Sequence, residues 1–198
     1  MKLITKRNGV KYSIRDNRNR IFNPNEWNKF YFSLKESKKP VFDCLINTGA
    51  RINEARGIRP EHLSNQRKSV ILSNTKIRAK LGEKVPQPRI IAVSDGFYRY
   101  LHANVSRNRV LSTNAFNLAI KEACGNAKIN DPEQFSSHKF RKTFGTWMLA
   151  LGVDGFKLAQ HLGHTPAELA RDYATNDIFS HKDKQIMRSI LGNLPERF

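Results

Sequence analysis

The chain has 198 residues with 35 Lys and Arg against 17 Asp and Glu, a net charge of +18. With 39% hydrophobic and 10% aromatic residues it can bury a core, so it is not a disordered polyelectrolyte, and an excess of positive charge on this scale points to a polyanionic partner, nucleic acid above all. No apolar run reaches the ~18–20 residues of a membrane helix, Met1–Val10 lacks the apolar stretch of a signal peptide, and Cys44 and Cys124 fit neither a disulfide framework nor a C-x-x-C zinc site, which predicts an intracellular protein with reduced thiols.

In chain order, the first 20 residues hold seven basic residues and one acid. Asn8-Gly9 between two alternating runs predicts a β-hairpin with a two-residue turn, which would align Leu3 and Thr5 with Ile14 and Tyr12 on one face; a disordered basic tail is the alternative. The predicted organisation is a basic arm over 1–22 and one domain over 23–198. Asn23-Pro24 is a helix start, followed by Trp27, Phe30, Tyr31 and Leu34 at helical spacing. Pro40 opens a second helix that carries Phe42, Leu45 and Ile46 and stops at Gly49, and a short third runs from Arg51 to Arg56 before Gly57 and Pro60.

The character then changes. Ser69–Asn74 and Arg89–Val93 are β-branched runs, and between them Thr75–Pro88 is polar and carries Lys76, Arg78, Lys80 and Lys84, which predicts a hairpin with a long basic tip. The rest is helical: one helix marked by Phe97, Tyr98, Leu101 and Val105, one by Phe116, Ile120 and Ala123 up to Gly125, one capped by Ser136 or Ser137 and ending at Gly152, and one from Asp154 to Gly163. Thr165-Pro166-Ala167-Glu168 is a capping box, and Ser180–Asp183 is a second, opening a helix over 180–191 whose stripe of Ile186, Met187, Ile190 and Leu191 must be buried on its own core or on a neighbouring protomer. The expected fold class is mainly α with a small antiparallel β-sheet.

Residues able to carry chemistry are few. His138 and Arg141 share one face of a helix start, where backbone N–H groups add positive potential, and could clamp a phosphate; on spacing alone a solvated pair is the more common outcome. His161 and His164, with Asp172 nearby, invite a zinc reading, but H-x-x-E-H and H-E-x-x-H are absent and the acids are too scattered for a two-metal nuclease. Taken singly, Arg51 is an ordinary surface arginine and Tyr173 an ordinary half-buried tyrosine. No G-x-S-x-G or phosphate-binding G-x-x-x-x-G-K-[ST] pattern occurs.

Taken in order, these residues resemble the tyrosine recombinases of the phage integrase type. Thr48-Gly49-Ala50-Arg51-Ile52-Asn53-Glu54 resembles the family's T-G-x-R-x-x-E box, His138-Lys139-Phe140-Arg141 its H-x-x-R box, and Leu162-Gly163-His164 its L-G-H box, with Tyr173 nine residues further on at the position of the nucleophile. The resemblance spans roughly Asn23 to Tyr173. It implies the integrase catalytic-domain fold and a catalytic set of Arg51, Lys76, His138, Arg141, His164 and Tyr173. Lys80 and Lys84 remain alternatives for the catalytic lysine, and Glu54 is the supporting acid. It further implies DNA contacts from Arg78, Lys80, Lys84, Lys139 and Lys142, and cleavage through a 3′-phosphotyrosine with no cofactor, no metal and no ATP. The implied partners are double-stranded DNA and further copies of the chain, a tetramer on paired sites from a monomer or dimer in solution, in the cytoplasm of a host of a mobile element. About 23 residues precede the first helix, too few for the N-terminal clamp domain usual in the family, which fits a minimal recombinase or a catalytic fragment. Lys142 stands where a second His is frequent. The rival readings are a type IB topoisomerase-like relaxing enzyme and a non-catalytic DNA-binding regulator of the same fold.

The residue types suit that chemistry. A phosphodiester under attack gathers negative charge on its nonbridging oxygens, which two arginine forks and a histidine donor can stabilise without a metal. A tyrosine hydroxyl needs its proton removed before it attacks, and the leaving 5′-oxygen needs one supplied.

Overall fold

A computed structural model describes residues 2–5, 11–14, 20–73, 88–105, 112–173 and 178–198. Lys76, Arg78, Lys80 and Lys84, the residues foreseen on the hairpin tip, lie outside the described residues.

The order of elements is β1 (Lys2–Thr5), β2 (Lys11–Ile14), α1 (Pro24–Phe32), α2 (Lys39–Thr48), α3 (Ile52–Arg56), β3 (Leu63–Ser64), β4 (Ser69–Leu72), β5 (Arg89–Ala92), α4 (Asp95–Asn104), α5 (Thr113–Asn126), α6 (Ser137–Ala150), α7 (Gly155–Leu162), α8 (Pro166–Tyr173) and α9 (His181–Leu191). β1 and β2 form one antiparallel pair, and β3, β4 and β5 a three-stranded antiparallel sheet in that order. The class is therefore as expected, mainly α with small antiparallel sheets.

The register of the N-terminal pair differs from the expected one. Lys2 pairs with Ile14, Ile4 with Tyr12 and Thr5 with Lys11. A two-residue Asn8-Gly9 turn would pair Thr5 with Tyr12 and Leu3 with Ile14; the observed register is one residue away, pairing Thr5 with Lys11 and Leu3 with Ser13. Smaller differences follow from local geometry. Arg51 caps α3 from outside, in extended backbone at φ −72° and ψ 151°, and α5 runs through Gly125 to Asn126. β3, two residues long, is too short to leave a periodic signal.

The core is aromatic and α6 runs through its middle. Phe140, Arg141 and every residue from Thr143 to Met148 are buried, so this helix is enclosed on all sides. Phe140 lies within 5.2 Å, centroid to centroid, of Phe22 and of Phe42. Phe22 stacks on Phe135 at 4.1 Å and Phe42 on Phe116 at 4.6 Å, which ties α2, α5 and the chain before α1 to α6. The segment just before α1 is pinned by polar bonds as well: the Phe22 N–H donates to Thr143 Oγ1 at 3.0 Å, and Trp147 Nε1 donates to the Phe22 carbonyl at 3.1 Å. Truncating Phe140 to Ala at the centre of this cluster would cost ~3–5 kcal/mol. Cys44 and Cys124 are buried thiols whose pKa burial pushes up to about 12, so they are inert core residues. α9 lays Met187 and Leu191 on this same core with no exposure, while Ile186 and Ile190 of its stripe are half-buried.

Candidate active site

Three helix ends meet beside α6. The first is the α2–α3 corner. Gly49 ends α2 in the left-handed region at φ +62°, and a Cβ there would run into the Phe144 ring, so both backbone and space demand glycine. The Thr48 hydroxyl accepts from the Ala50 N–H at 3.1 Å and shapes the corner. Glu54, only 1% exposed, reaches back to accept the Arg51 N–H at 2.7 Å, and its other oxygen takes Arg51 Nη1 at 2.9 Å. The T-G-x-R-x-x-E spacing thus has a local cause: the acid three residues into α3 caps the helix and holds the arginine that precedes it.

The second piece is Arg141. Its guanidinium is 3% exposed and crosses to two helix ends, with Nη1 donating to the Gly49 carbonyl at 2.8 Å and Nη2 donating to the Leu162 carbonyl. Neither partner is an anion. Burial therefore pulls the Arg141 pKa down to about 10, with Tyr173 and Glu54 opposing that fall and Arg51 and Arg89 adding to it.

The third piece is the turn from α7 into α8. Gly163 takes the left-handed conformation at φ +64°, and the Thr165–Glu168 capping box starts α8 as expected, with the Thr165 N–H on Glu168 Oε2 at 2.8 Å. His164 is half-buried, and its ring lies 5.6 Å from that of Tyr173, centroid to centroid. Burial lowers its pKa to about 4, reinforced by Arg141 and Arg51, so it is neutral at pH 7. Its buried Nδ1 has no hydrogen-bond partner among the described residues. Tyr173, 4% exposed at the end of α8, packs its ring against Gly145 of α6, where a Cβ would come within 2.5 Å of Cδ1 and Cε1. Burial raises the pKa of its hydroxyl, while the positive charges of Arg141 and Arg51 pull it back.

The structure therefore brings together Arg51, Glu54, Arg141, His164 and Tyr173. His138 sits in the first turn of α6, exposed, one turn before Arg141. Lys139 and Lys142 are half-buried on the same helix, and burial depresses the pKa of each, with Asp172 opposing the shift at Lys142. His161 is a core residue. It lies 8% exposed, its Nε2 donates to the Thr48 carbonyl at 3.0 Å, its ring stacks on Phe144 at 5.3 Å, and burial lowers its pKa to about 4. Among the described residues, no three of His, Cys, Asp and Glu are grouped to hold a metal.

Sequence reasoning missed Arg89. It opens β5 and forms a two-point bridge to Glu54, Nη1 to Oε1 and Nη2 to Oε2, both at 2.8 Å, while its Nε donates to the His161 carbonyl at 3.0 Å. With Arg51 and Arg89 on it, the Glu54 carboxyl is held at about 2 against the cost of burial, so it stays ionised. A signal was present: Arg89 shares a strand face with Ile91, which is 1% exposed, and an arginine on the inward face of a strand needs a buried partner. A groove of about 360 Å³ lies elsewhere, between α1, α2, α4 and α9, where Tyr31 donates to Asp43 at 3.0 Å; it shares no residue with this site.

One buried carboxylate among three guanidinium groups leaves the cluster with a charge of +2 at its centre, with a buried tyrosine and a neutral imidazole alongside. Such a composition suits an anion like phosphate. The family model for the phage integrase family matches residues 20–178, and the chain belongs to that family. Solved structures agree on the fold. The XerA recombinase is 16% identical with a TM-score of 0.63 over 86% of this chain and 64% of its own. The Tn1549 transposon integrase bound to transposon right-end DNA is 17% identical with a TM-score of 0.65, over 93% of this chain and 69% of its own. The catalytic domain of the bacteriophage HP1 integrase is 19% identical with a TM-score of 0.60, over 90% of this chain and 98% of that domain. The chain thus spans under two thirds of the XerA chain and nearly all of the HP1 catalytic domain. No curated protein matches the sequence significantly.

Proposed function

We propose that the chain is a site-specific DNA recombinase that cuts and rejoins double-stranded DNA through a 3′-phosphotyrosine, in the integration or excision of a mobile element. The observation that carries the reading is the packing of Tyr173 against Gly145 of α6 with its ring 5.6 Å from that of His164, in a cluster where the charges of Arg141 and Arg51 are felt at its hydroxyl. In this reading Arg51 and Arg141 neutralise the nonbridging oxygens, and His164 donates to one of them through a ring nitrogen. His138, at the mouth of the α6 N-terminus, takes the tyrosine proton. The proton for the leaving 5′-oxygen comes from Lys76, with Lys80 and Lys84 as the other candidates. Tyr173 attacks phosphorus as the bond to the 5′-oxygen breaks, and the phosphotyrosyl ester keeps the bond energy for religation, so the step needs neither ATP nor a metal.

Arg78, Lys80, Lys84, Lys139 and Lys142 contact the DNA backbone in this scheme. Residues 23–198 form the catalytic domain with 1–22 as a basic arm, and four copies assemble on paired sites in the cytoplasm of the host cell. The relatives that support the DNA substrate are the Tn1549 integrase in complex with transposon end DNA and the XerH recombinase bound to its difH substrate.

The test is a nicked suicide substrate in the presence of EDTA. The protein should become covalently joined to the DNA, and Tyr173→Phe should bind with unchanged affinity and give no adduct. An adduct from the phenylalanine variant removes Tyr173 as nucleophile, whereas relaxation of supercoiled DNA without site preference would favour a topoisomerase.

A further inference from the structure

Arg89 is the one charged side chain in this cluster that the recombinase reading has not used. We propose that it is a positioning residue for strand cleavage, setting Arg51 through Glu54 and seating the His164 turn through the carbonyl of His161. The proposal rests on the recombinase reading for its substrate and on hydrogen-bond geometry for its mechanism.

The Glu54 carboxylate can accept about four hydrogen bonds, and it has four. Oε1 takes Arg51 Nη1 at 2.9 Å and Arg89 Nη1 at 2.8 Å; Oε2 takes the Arg51 N–H at 2.7 Å and Arg89 Nη2 at 2.8 Å. Arg89 thus fills the two places to which Arg51 could otherwise turn its second guanidinium nitrogen. Without Arg89, a fully buried carboxylate is left half satisfied beside one arginine. The lowest-energy response is for Arg51 to close on it with both nitrogens, because two-point arginine–carboxylate pairs are the strong ones. Such a turn withdraws Arg51 from a phosphate, and the central charge falls from +2 to +1.

The second arm acts on a different element. Nε of Arg89 holds the carbonyl of His161, and Arg141 holds that of the next residue, Leu162. These are the final carbonyls of α7, which no helical N–H can satisfy, and the chain leaves them directly for Gly163 and His164. A Cβ on Gly163 would touch Arg89 Cδ at 3.5 Å, so the arginine also lies against this turn. Lysine could not replace it: a point charge cannot span two carboxylate oxygens and a carbonyl together.

The experiment compares Arg89→Met and Arg89→Lys with Arg51→Ala on two nicked substrates, one normal and one with a neutral methylphosphonate at the scissile position. On normal DNA, R89M should form adduct ~10- to 100-fold more slowly with DNA affinity little changed, and R89K should fall between it and wild type. On the methylphosphonate, where no anionic oxygen awaits Arg51, R51A should approach the wild-type rate and R89M should recover the part of its loss that runs through Arg51, keeping only the part that runs through the His164 turn. R89M as fast as wild type on normal DNA overturns the proposal. So does an equal loss on both substrates while R51A recovers, since that is damage unrelated to Arg51. If R89M unfolds, R89K carries the comparison. If wild-type protein forms no adduct on either substrate, the recombinase reading fails, and the positioning claim is decided by nitrogen NMR of Arg51: its guanidinium signals should shift in R89K as it closes on Glu54, and unchanged signals refute it.

Discussion

Gly145→Ala tests the placement of Tyr173 without touching a charge. A Cβ at position 145 would stand 2.5 Å from both Cδ1 and Cε1 of the Tyr173 ring and 3.3 Å from Leu162 Cδ1. Carbon atoms in ordinary contact are ~3.5–4.0 Å apart, so the ring must retreat by about 1 Å. Tyr173 is 4% exposed, which closes the easy escape, and any retreat from α6 alters its contact with Arg141. Two stability effects oppose each other: alanine gains ~1 kcal/mol over glycine inside a helix, and overpacking costs ~1–3 kcal/mol. The melting temperature should therefore move by only a few degrees. Reactivity should not be spared, because ~1 Å of misplacement can cost about 100-fold in rate. Gly125→Ala, at an exposed position in α5 where a Cβ meets nothing within 4 Å, is the matched control; it should gain slightly in stability and react normally. Single-turnover adduct formation on suicide DNA measures the rate, and a filter or gel assay the affinity. A wild-type adduct rate in G145A, or a loss that merely follows weaker binding, would refute the reasoning.

Binding should weaken steeply with salt, since each phosphate neutralised contributes about −0.9 to the slope of log K on log salt, and a chain of net charge +18 should neutralise several; a flat response between 50 and 200 mM salt contradicts this. Acid should destabilise the fold in two steps. His161 stays neutral in the folded state down to about 4 while the unfolded chain takes its proton near 6.5, so ~3 kcal/mol present above pH 6.5 is lost as the pH falls towards 4; His164, held to about 4 as well, acts in the same window, so His161→Gln should make that limb of a melting-temperature profile shallower and leave the part due to His164. Glu54, held at about 2 against an ordinary 4.5, gives stability that is complete above pH 4.5 and disappears as the pH falls towards 2, and Glu54→Gln should remove that lower limb. Deleting residues 180–198 removes Met187, Leu191 and Leu194, all with no exposure, and should unfold the domain, because three such side chains at ~1.5–3 kcal/mol each approach its whole stability; a truncated protein that stays folded would return α9 to a neighbouring protomer.

What the sequence disclosed and what it hid follow a physical division. Helix ends were legible because caps are local: Asn23-Pro24, Thr165–Glu168 and Ser180–Asp183 each act within four residues. The boxes around Arg51 and Arg141 were legible because their intervals are fixed by local geometry, Glu54 capping the helix that Arg51 precedes and Arg141 lying one turn past His138. The register of β1 and β2 was not, since a one-residue change in loop length leaves the alternating pattern intact while it moves every side chain to the other face. Arg89 was missed because its bonds reach 35 residues back and 72 forward, and no interval in the sequence marks a partner at that separation. The three-residue interval between His161 and His164, which on spacing alone invites a pair, spans the end of α7 and turns the two rings to different surroundings, one among Phe144 and Phe198, the other beside Tyr173.

In the proposed reaction, Arg141 would make the site ready before DNA arrives. A guanidinium cannot shed its proton at neutral pH, so the fall in its pKa to about 10 measures a free-energy cost, ~3 kcal/mol, carried by the folded state. The two carbonyls it reaches satisfy its N–H groups without cancelling its charge, and the nearest carboxylate is already shared by Arg51 and Arg89. The aromatic core around α6 supplies the stability that offsets this. A phosphate entering the cluster would relieve the cost, and the trigonal-bipyramidal state with its greater charge would relieve it further, which is differential stabilisation of the transition state. The same argument explains the enclosure of Tyr173. In the proposed reaction Arg141, whose charge is felt at this hydroxyl, would hold the phosphate, and the water that burial excludes is water that would otherwise hydrolyse the phosphotyrosyl bond before religation.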